Sequence, residues 1–483
     1  MNRKMVFNTI GKIIVTEAAL LILPIITALL YSETIPVFAF LITAVIALLV
    51  GGAFILLTRT KDKAIYAGEG FVIVALAWLL MSVIGCLPFV ISKEIPSFFD
   101  AFFETVSGFT TTGASILNNV EALSHGMLFW RSFTHWIGGM GVLVFVMAII
   151  PSTTKGSMNI LRAEMPGPII GKLVPRLRDT AKLLYVIYIA LTILQVILLC
   201  FGGMPFFESL LHTFGTAGTG GFGTRANSIA GYSPYIQWVI TVFMLVFGVN
   251  FNVYYLILFR HARQALKSTE MWVYLGIVAV SVAAITINIS HLYNNLSDAI
   301  RASAFQVASI ISTTGFSTTD FALWPVASKT ILLVLMVVGA CAGSTAGGLK
   351  VSRVVLIFKN ISREIRQMLH PRSVSKVRFE GKAVEEATLR SVATYFAVYM
   401  VCFVVVFLLV SIEPFSIETN LSATLACFNN VGPGLDAVGP AASYADYSNF
   451  SKVILSVAML LGRLEIFPII IAISPSTWMR KYR

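Results

Sequence analysis

Charge is what this sequence has least of. Asp, Glu, Lys and Arg make up 12% of its 483 residues, against ~25% in a soluble domain. With 57% hydrophobic residues and a mean hydropathy of +0.84, lipid is the solvent that such a composition fits. Cysteine is sparse as well. Cys86, Cys200, Cys341, Cys402 and Cys427 are scattered through mostly apolar runs with no ligand spacing, and they read as packing residues. Of the six histidines, His135, His212, His261, His291 and His370 are dispersed and lack HExxH spacing; His135 and His212 are expected to be structural. No nucleophile–base set argues for an intramembrane enzyme. No chain of buried acids suggests proton relay, which weighs against a coupled carrier. No basic stripe interleaved with aromatics points to nucleic acid.

What the sequence does have is apolar length. Stretches near the ~20 residues needed to cross hydrocarbon begin around Ile10, Ile35, Gly70, Met127, Leu183, Tyr235, Met271, Ser328, Val392 and Ser451. Ten spans are therefore predicted. The first is not a cleavable signal, because a second span follows at once with no small-residue cleavage site between them. With the amino terminus inside, segments 1–12, 59–68, 151–182, 260–270, 350–390 and 476–483 carry 28 of the 35 Lys and Arg. The outer side holds Lys93, Arg131, Arg225, Arg301, Lys329 and Lys452. That asymmetry sets the orientation.

A repeat of about a hundred residues runs along the chain. After the spans near Gly70, Leu183, Met271 and Val392 comes a segment too short to cross, then a glycine turn, then another span. The turns read SGFTTTGAS (107–115), GTAGTGGFG (215–223), SIISTTGFS (309–317) and ACFNNVGPG (426–434). In register they share Gly113, Gly221, Gly315 and Gly432, with Thr111, Thr219, Thr313 and Asn430 two positions earlier. All four short segments lie on the outer side and read as re-entrant helices, and irregular backbone at that depth must line a protein-covered or watery space. Four such loops converging on one axis make a pore.

The residue types suit a monovalent cation. Rings of backbone carbonyls replace an ion's hydration shell, and glycine reaches the dihedrals that aim them. Thr111, Thr112, Thr313 and Thr314 can add hydroxyl oxygens, and the turns contain no Asp or Glu. Asp100, Glu104, Glu121, Glu208, Asp298, Asp320 and Asp436 cluster towards the outer mouth, where they can concentrate cations.

Two motifs are decoys. GTGGFG (218–223) matches a dinucleotide fingerprint but lacks a preceding strand, and GSTAGGLK (343–350) resembles a phosphate loop with Leu349 in place of the lysine. More telling is GACAGSTAGGLK (339–350), which interrupts the span near Ser328 with too much glycine for a quiet helix. Arg463 is an intramembrane cation, costly and functional by default. The preferred reading has 339–350 obstruct the inner half of the pore, braced by Arg463; the alternative pairs Arg463 with Glu465. Lys350 and Arg353 are expected at the inner edge.

Over essentially its whole length the chain resembles the Trk/Ktr/HKT superfamily of potassium transporters. The resemblance is carried by TTTGAS (110–115), TGGFGT (219–224), STTGFST (312–318), NNVGPG (429–434), HWIGGMG (135–141), GSTAGGLKVSR (343–353) and GRLE (462–465). It implies an all-α polytopic membrane protein of four helix–pore helix–helix repeats with pseudo-fourfold symmetry around a central pore. Two extra amino-terminal transmembrane helices (1–68), as in TrkH-like members, precede repeats at 69–155, 175–265, 270–360 and 385–483. The implied filter is Thr111, Thr112 and Gly113; Thr219, Gly220 and Gly221; Thr313, Thr314 and Gly315; and Asn430, Val431 and Gly432. Glycine in all four goes with potassium preference, and serine in the first with sodium permeation. Gly220, where repeats one and three have threonine, implies a less symmetric filter and imperfect selectivity. The implied gate is Gly343, Ser344, Thr345, Ala346, Gly347, Gly348 and Lys350, with Arg463. The resemblance further implies a homodimer in the bacterial cytoplasmic membrane, surrounded by lipid. A cytosolic nucleotide-binding regulatory subunit (TrkA-like) would dock on 151–182 and 350–390. Potassium would be cargo, with no cofactor in the chain itself. A sodium-permeable channel and a potassium–sodium or potassium–proton carrier stay as alternatives.

Overall fold

The computed structural model describes residues 1–60, 67–141, 177–258, 262–373 and 375–479. Among these the only strands are Arg378–Phe379 and Lys382–Ala383, a small antiparallel hairpin; the rest is helix and turn. The expected basic segment 151–182 up to residue 176, the repeat limits at 155 and 175, and His261 lie outside the described residues.

The amino-terminal part contains α1 (Arg3–Leu20), α2 (Ile22–Leu30) and α3 (Thr34–Leu57). Next come α4 (Ala67–Gly85), α5 (Leu87–Ser92), the short α6 (Phe98–Phe109) and α7 (His125–Gly139). The pattern recurs as α8 (Leu177–Phe201), short α9 (Phe206–Ala217), α10 (Pro234–Gly248) and α11 (Phe251–Leu258). After the single turn α12 (Ala262–Ala265) come α13 (Thr269–Ile289), α14 (Leu296–Ile311), α15 (Val326–Val338) and α16 (Val351–Leu369). The chain closes with α17 (Glu386–Val410), short α18 (Ile417–Phe428), α19 (Asn449–Arg463), α20 (Phe467–Ile473) and α21 (Pro475–Met479). Helices α6, α9 and α18 have 12 residues each, about 18 Å of helix, well short of a ~30 Å hydrocarbon core.

Serine hydroxyls start the helices that follow three of the short ones. Ser124, Ser233 and Ser448 accept the N–H groups of Met127, Ile236 and Ser451, which satisfies a donor that has no partner in the first turn.

Among the described residues, six of the ten expected spans are straight helices, or eight spans if each of two bent pairs is counted as one. Six segments are long and apolar enough to cross: Arg3–Leu30, Thr34–Leu57, Gly68–Ser92, Lys182–Phe201, Thr269–Leu292 and Glu386–Val410. The spans predicted near Tyr235 and Ser451 are instead bent, by 92° between α10 and α11 and 118° between α19 and α20. At the first bend Val249 is extended and the Asn250 side chain accepts from the N–H of Asn252 at 2.9 Å, which starts a new helix. At the second, Glu465 and Ile466 take φ of 56° and 66° and Pro468 stands in the first turn of α20. The span near Ser328 stops at Val338, where Gly339 takes φ 67°. Beyond α7 the chain soon leaves the described residues.

Each short helix packs on the long helix of its own unit and on one from the unit before: α9 on α7, α14 on α10, α18 on α15 and α6 on α19. The order closes on itself. Large apolar side chains such as Leu57, Val280 and Ile287 face outward and are exposed, as lipid contact requires.

Helices α1 and α3 touch backbone to backbone. A Cβ on Gly11 would lie 2.7 Å from the Gly51 carbonyl oxygen, and one on Gly51 2.8 Å from that of Gly11; small residues permit such crossings in lipid. Gly51→Leu is expected to push the pair apart and lower stability by roughly 1–3 kcal/mol, read as a fall in the thermal midpoint of the purified chain. Gly52→Leu, whose Cβ would meet nothing within 4 Å, serves as the control and should leave it unmoved.

Candidate functional site

The four short helices end in the same cap. Thr112, Gly220, Thr314 and Val431 donate their N–H to the carbonyls of Ser107, Gly215, Ser309 and Ala426, at 2.9, 2.8, 2.8 and 2.8 Å. Thr111, Thr219, Thr313 and Asn430 bond one turn back to Gly108, Thr216, Ile310 and Cys427. That paired bonding is a Schellman cap, whose left-handed position normally holds glycine. Here Thr111, Thr219, Thr313 and Asn430 occupy it, with φ of 54°, 56°, 57° and 56°. The sequence reading assigned the unusual dihedrals to glycine and missed these. Asn tolerates the left-handed region; the threonines carry no such signal.

Two residues on, the glycines also take positive φ: Gly113 82°, Gly221 76°, Gly315 85° and Gly432 99°. Their surroundings form a cycle. A Cβ on Gly113 would strike the carbonyl oxygen of Gly220, one on Gly221 that of Thr314, and one on Gly315 that of Val431. A Cβ on Gly432 would lie 2.6 Å from the carbonyl oxygen of Thr112. Each turn thus aims the carbonyl before its glycine at the glycine of a neighbour, and the fourth returns to the first. All four glycines line one cavity of about 230 Å³.

The turns are not equivalent. Gly220 is glycine for a local reason: a Cβ there would run into the His135 ring, whose Nδ1 lies 2.7 Å from the Gly108 carbonyl oxygen. In turns one and three, hydroxyls pair side by side, Thr110 with Thr112 at 2.9 Å and Ser312 with Thr314 at 2.7 Å. Asn430 Nδ2 donates to Thr112 Oγ1 and to the Met459 carbonyl, both at 2.9 Å, linking turn four to turn one. Tyr444 supports the Gly432 carbonyl through its hydroxyl at 2.9 Å. His212 sits behind turn two, 3.1 Å from the Tyr232 hydroxyl. Both histidines are buried in the scaffold.

The most consequential pair escaped the sequence reading, which placed Arg131 and Glu104 among outer charges. Both side chains are buried, 2.6 Å apart. Glu104 also accepts from the Ser115 hydroxyl and the Ile116 N–H, each at 2.9 Å, and so holds the limb leaving turn one. Arg131 donates to the Gly223 carbonyl at 3.2 Å and covers the Phe222 ring at 3.5 Å, which holds the limb leaving turn two. The only clue in sequence is a cation inside the apolar run HGMLFWRSFTHWIGG.

The expected acidic mouth is mostly neutralised. Asp100 pairs with Lys452 at 2.6 Å, Glu208 with Arg225 at 3.2 Å and Asp298 with Arg301 at 2.9 Å, while Asp320 caps the Ala322 N–H. Asp436 stays anionic: hydroxyl bonds from Thr419 and Ser416 hold its carboxyl below the usual range. Glu121 is exposed.

Beneath the turns lies the glycine-rich segment. Gly347 donates its N–H to Thr313 Oγ1 at 2.7 Å, and a Cβ on Gly347 would strike the Asn429 carbonyl oxygen. Arg463 donates to the Thr345 carbonyl at 2.6 Å and to the Gly138 and Gly139 carbonyls at 2.5 and 2.7 Å. The alternative partner, Glu465, binds Arg353 instead, at 3.0 and 2.5 Å. Lys350 and Arg353, expected at the inner edge, are both buried, and Lys350 caps the Ala346 carbonyl. Gly343, Ser344, Ala346, Gly347, Gly348 and Arg463 line a cavity of about 50 Å³.

The chain matches a family model described as "Cation transport protein", TrkH, over residues 36–482. It is 35% identical to the Trk system potassium uptake protein TrkH of Salmonella typhimurium, over 99% of this chain and 100% of that one. It is 34% identical to the Trk system potassium uptake protein TrkG of Escherichia coli, over 94% of each. The crystal structure of the potassium transporter TrkH from Vibrio parahaemolyticus superposes with a TM-score of 0.89 and 32% identity, over 99% of this chain and 100% of that one.

Removing one member of a buried ion pair strands the other charge, at a cost of about 3–5 kcal/mol. Arg131→Met is therefore expected to lower the thermal midpoint of the purified chain sharply. Lys329→Met, which breaks the half-exposed Lys329–Glu418 pair, should cost under about 1 kcal/mol. Equal effects would contradict the assignment.

Proposed function

The chain belongs to the TrkH family of cation transport proteins, and from that membership we propose that it is the ion-conducting subunit of a potassium uptake system. It is a multi-pass membrane protein and not an enzyme. One observation carries the reading: the carbonyls of Thr112, Gly220, Thr314 and Val431 each face a glycine of the neighbouring turn in a closed cycle. Four converging carbonyls offer a dehydrated cation the oxygens it leaves behind in water. The turns hold no carboxylate, so the ion is monovalent. Helices α6, α9, α14 and α18 direct their partly negative carboxy ends at the same point.

On this reading Thr111–Gly113, Thr219–Gly221, Thr313–Gly315 and Asn430–Gly432 form the selectivity filter. The units 69–155, 175–265, 270–360 and 385–483 are pseudo-fourfold repeats around one pore, with 1–68 as an added helix pair. Entry is driven by membrane potential, worth ~2.3 kcal/mol per charge per 100 mV. Gly343 to Gly348, Lys350 and Arg463 make up a gate; the contacts from Gly347 to Thr313 and from Arg463 to Thr345 support it. The protein works as a homodimer in the bacterial cytoplasmic membrane. A cytosolic nucleotide-binding subunit docks on the basic inner surface that includes 350–390. Potassium is cargo, and the chain needs no cofactor.

The direct test is potassium and sodium flux, measured separately in liposomes holding only this chain. Potassium well above sodium supports the reading; equal flux replaces it with a sodium-permeable channel, and flux only with a second ion gradient replaces it with a coupled carrier. Gly113→Ser should lower the potassium-to-sodium ratio several-fold, because its Cβ displaces the Gly220 carbonyl, and an intact ratio would remove Gly113 from the filter. Deleting residues 344–347 should raise basal potassium flux; unchanged flux would remove the segment from gating.

A further inference from the structure

Neither the filter turns nor the Arg463 contacts explain how both ends of the 339–350 segment are held. Glu270 does. It stands in the first turn of α13, only 4% exposed, and one carboxylate oxygen accepts the N–H of Ala342 at 2.7 Å and of Ser352 at 3.1 Å. Those two donors bracket the glycine-rich segment. Backbone bonds also tie the two ends to each other, Leu349 to the Val337 carbonyl and Val351 to that of Ala340, both at 3.0 Å, and single bonds reach α10 and α11, from Cys341 to the Gly248 carbonyl and from Phe251 to that of Gly343. Glu270 alone gathers both ends on one atom.

Glu270 is in turn held from the cytoplasmic side. Its backbone N–H donates to Glu380 Oε1 at 3.0 Å, and the Ser268 hydroxyl donates to the same oxygen at 3.1 Å. Glu380 lies at the tip of the Arg378–Ala383 hairpin with φ 50°, followed by Gly381 at 74°. The hairpin is seated by Val377 and Phe379, buried against Leu356 of α16 and Leu389 and Val392 of α17. A carboxylate at a helix amino terminus is favourable to both. The result is a continuous path from hairpin tip to the start of α13, to Glu270, and to both ends of the segment under the filter.

We propose that Glu270 is the positioning residue that clasps this segment shut, and that the cytoplasmic hairpin sets the clasp through Glu380. The proposal rests on the reading of 339–350 as a gate and adds the route by which the cytoplasmic surface reaches it. The hairpin is where a regulatory push or pull acts: moving it by a hydrogen bond's length breaks the cap on α13 and shifts Glu270.

Cys341, fully buried within the segment, is a native reporter. In a full-length chain with Cys86, Cys200, Cys402 and Cys427 replaced by alanine, its rate of modification by a small methanethiosulfonate reagent reports opening. Glu270→Ala and Glu380→Ala should each speed modification about tenfold, as loss of a charge-assisted hydrogen bond allows. Glu270→Gln, which keeps an acceptor oxygen, should fall between. A parallel background retaining only Cys427, buried in the scaffold, should show no acceleration. Cys341 rates equal to the parent's overturn the clasp, as does equal acceleration at Cys427, which means general loosening. Failure of the parent chain to conduct potassium would overturn the transport reading instead, and the Cys341 rates would still decide the clasp.

Discussion

Backbone carbonyls directed into one ring of turns repel one another, and each gives up the partner that regular structure would supply. The arrangement persists only if the surrounding backbone leaves no alternative. In this protein each carbonyl before one of the four glycines occupies the volume that a side chain on a neighbouring turn's glycine would need. The glycines are therefore steric requirements of the neighbouring turn as much as conformational requirements of their own. Since the contacts run from turn one to two, three, four and back, a displacement in one turn reaches the other three.

Holding that cycle costs strain, which the scaffold absorbs. A non-glycine residue in the left-handed region gives up roughly 1–2 kcal/mol, and four of them sit at Thr111, Thr219, Thr313 and Asn430. The Schellman bonds fix them from the helix side. On the outer side Arg131 and Glu104 fix the limbs of turns one and two, and Tyr444 and Ser422 fix turn four. Strain at a functional site persists where the structure over-determines it, and here it is determined from both ends.

How far this was legible in the sequence follows from what leaves a periodic mark. The glycines at 113, 221, 315 and 432 showed in register because a steric requirement repeats with the fold, and the broken helix at 339–350 showed because glycine is costly in helices. The bends at 249–250 and 464–466 did not show. Each depends on a few ordinary residues, Asn250 in one case and Glu465 with Pro468 in the other, that apolar length alone reads through. Left-handed threonines were missed because intrinsic preference argues against them. The Arg131–Glu104 pair and the Glu270 clasp were missed because their partners are distant in the chain, and charge placement by topology counts residues without saying what they touch.

The asymmetries then acquire a direction. Turn two gives up its threonine to make room for His135, turn one is tied to turn four through Asn430, and turn three receives the Gly347 N–H on Thr313. Of these links only the last comes from the segment beneath the ring. Thr313 is also one of the left-handed cap residues, so withdrawing Gly347 removes a donor from a strained position whose neighbour, Thr314, sends its carbonyl towards Gly221. Movement below the ring is therefore felt first in turns three and four, which Gly347 touches, and passes from turn three to turn two, where no paired hydroxyls brace Gly220. If the segment gates as proposed, it is mechanically joined to the proposed filter, and opening it relaxes one side of the ring before the other.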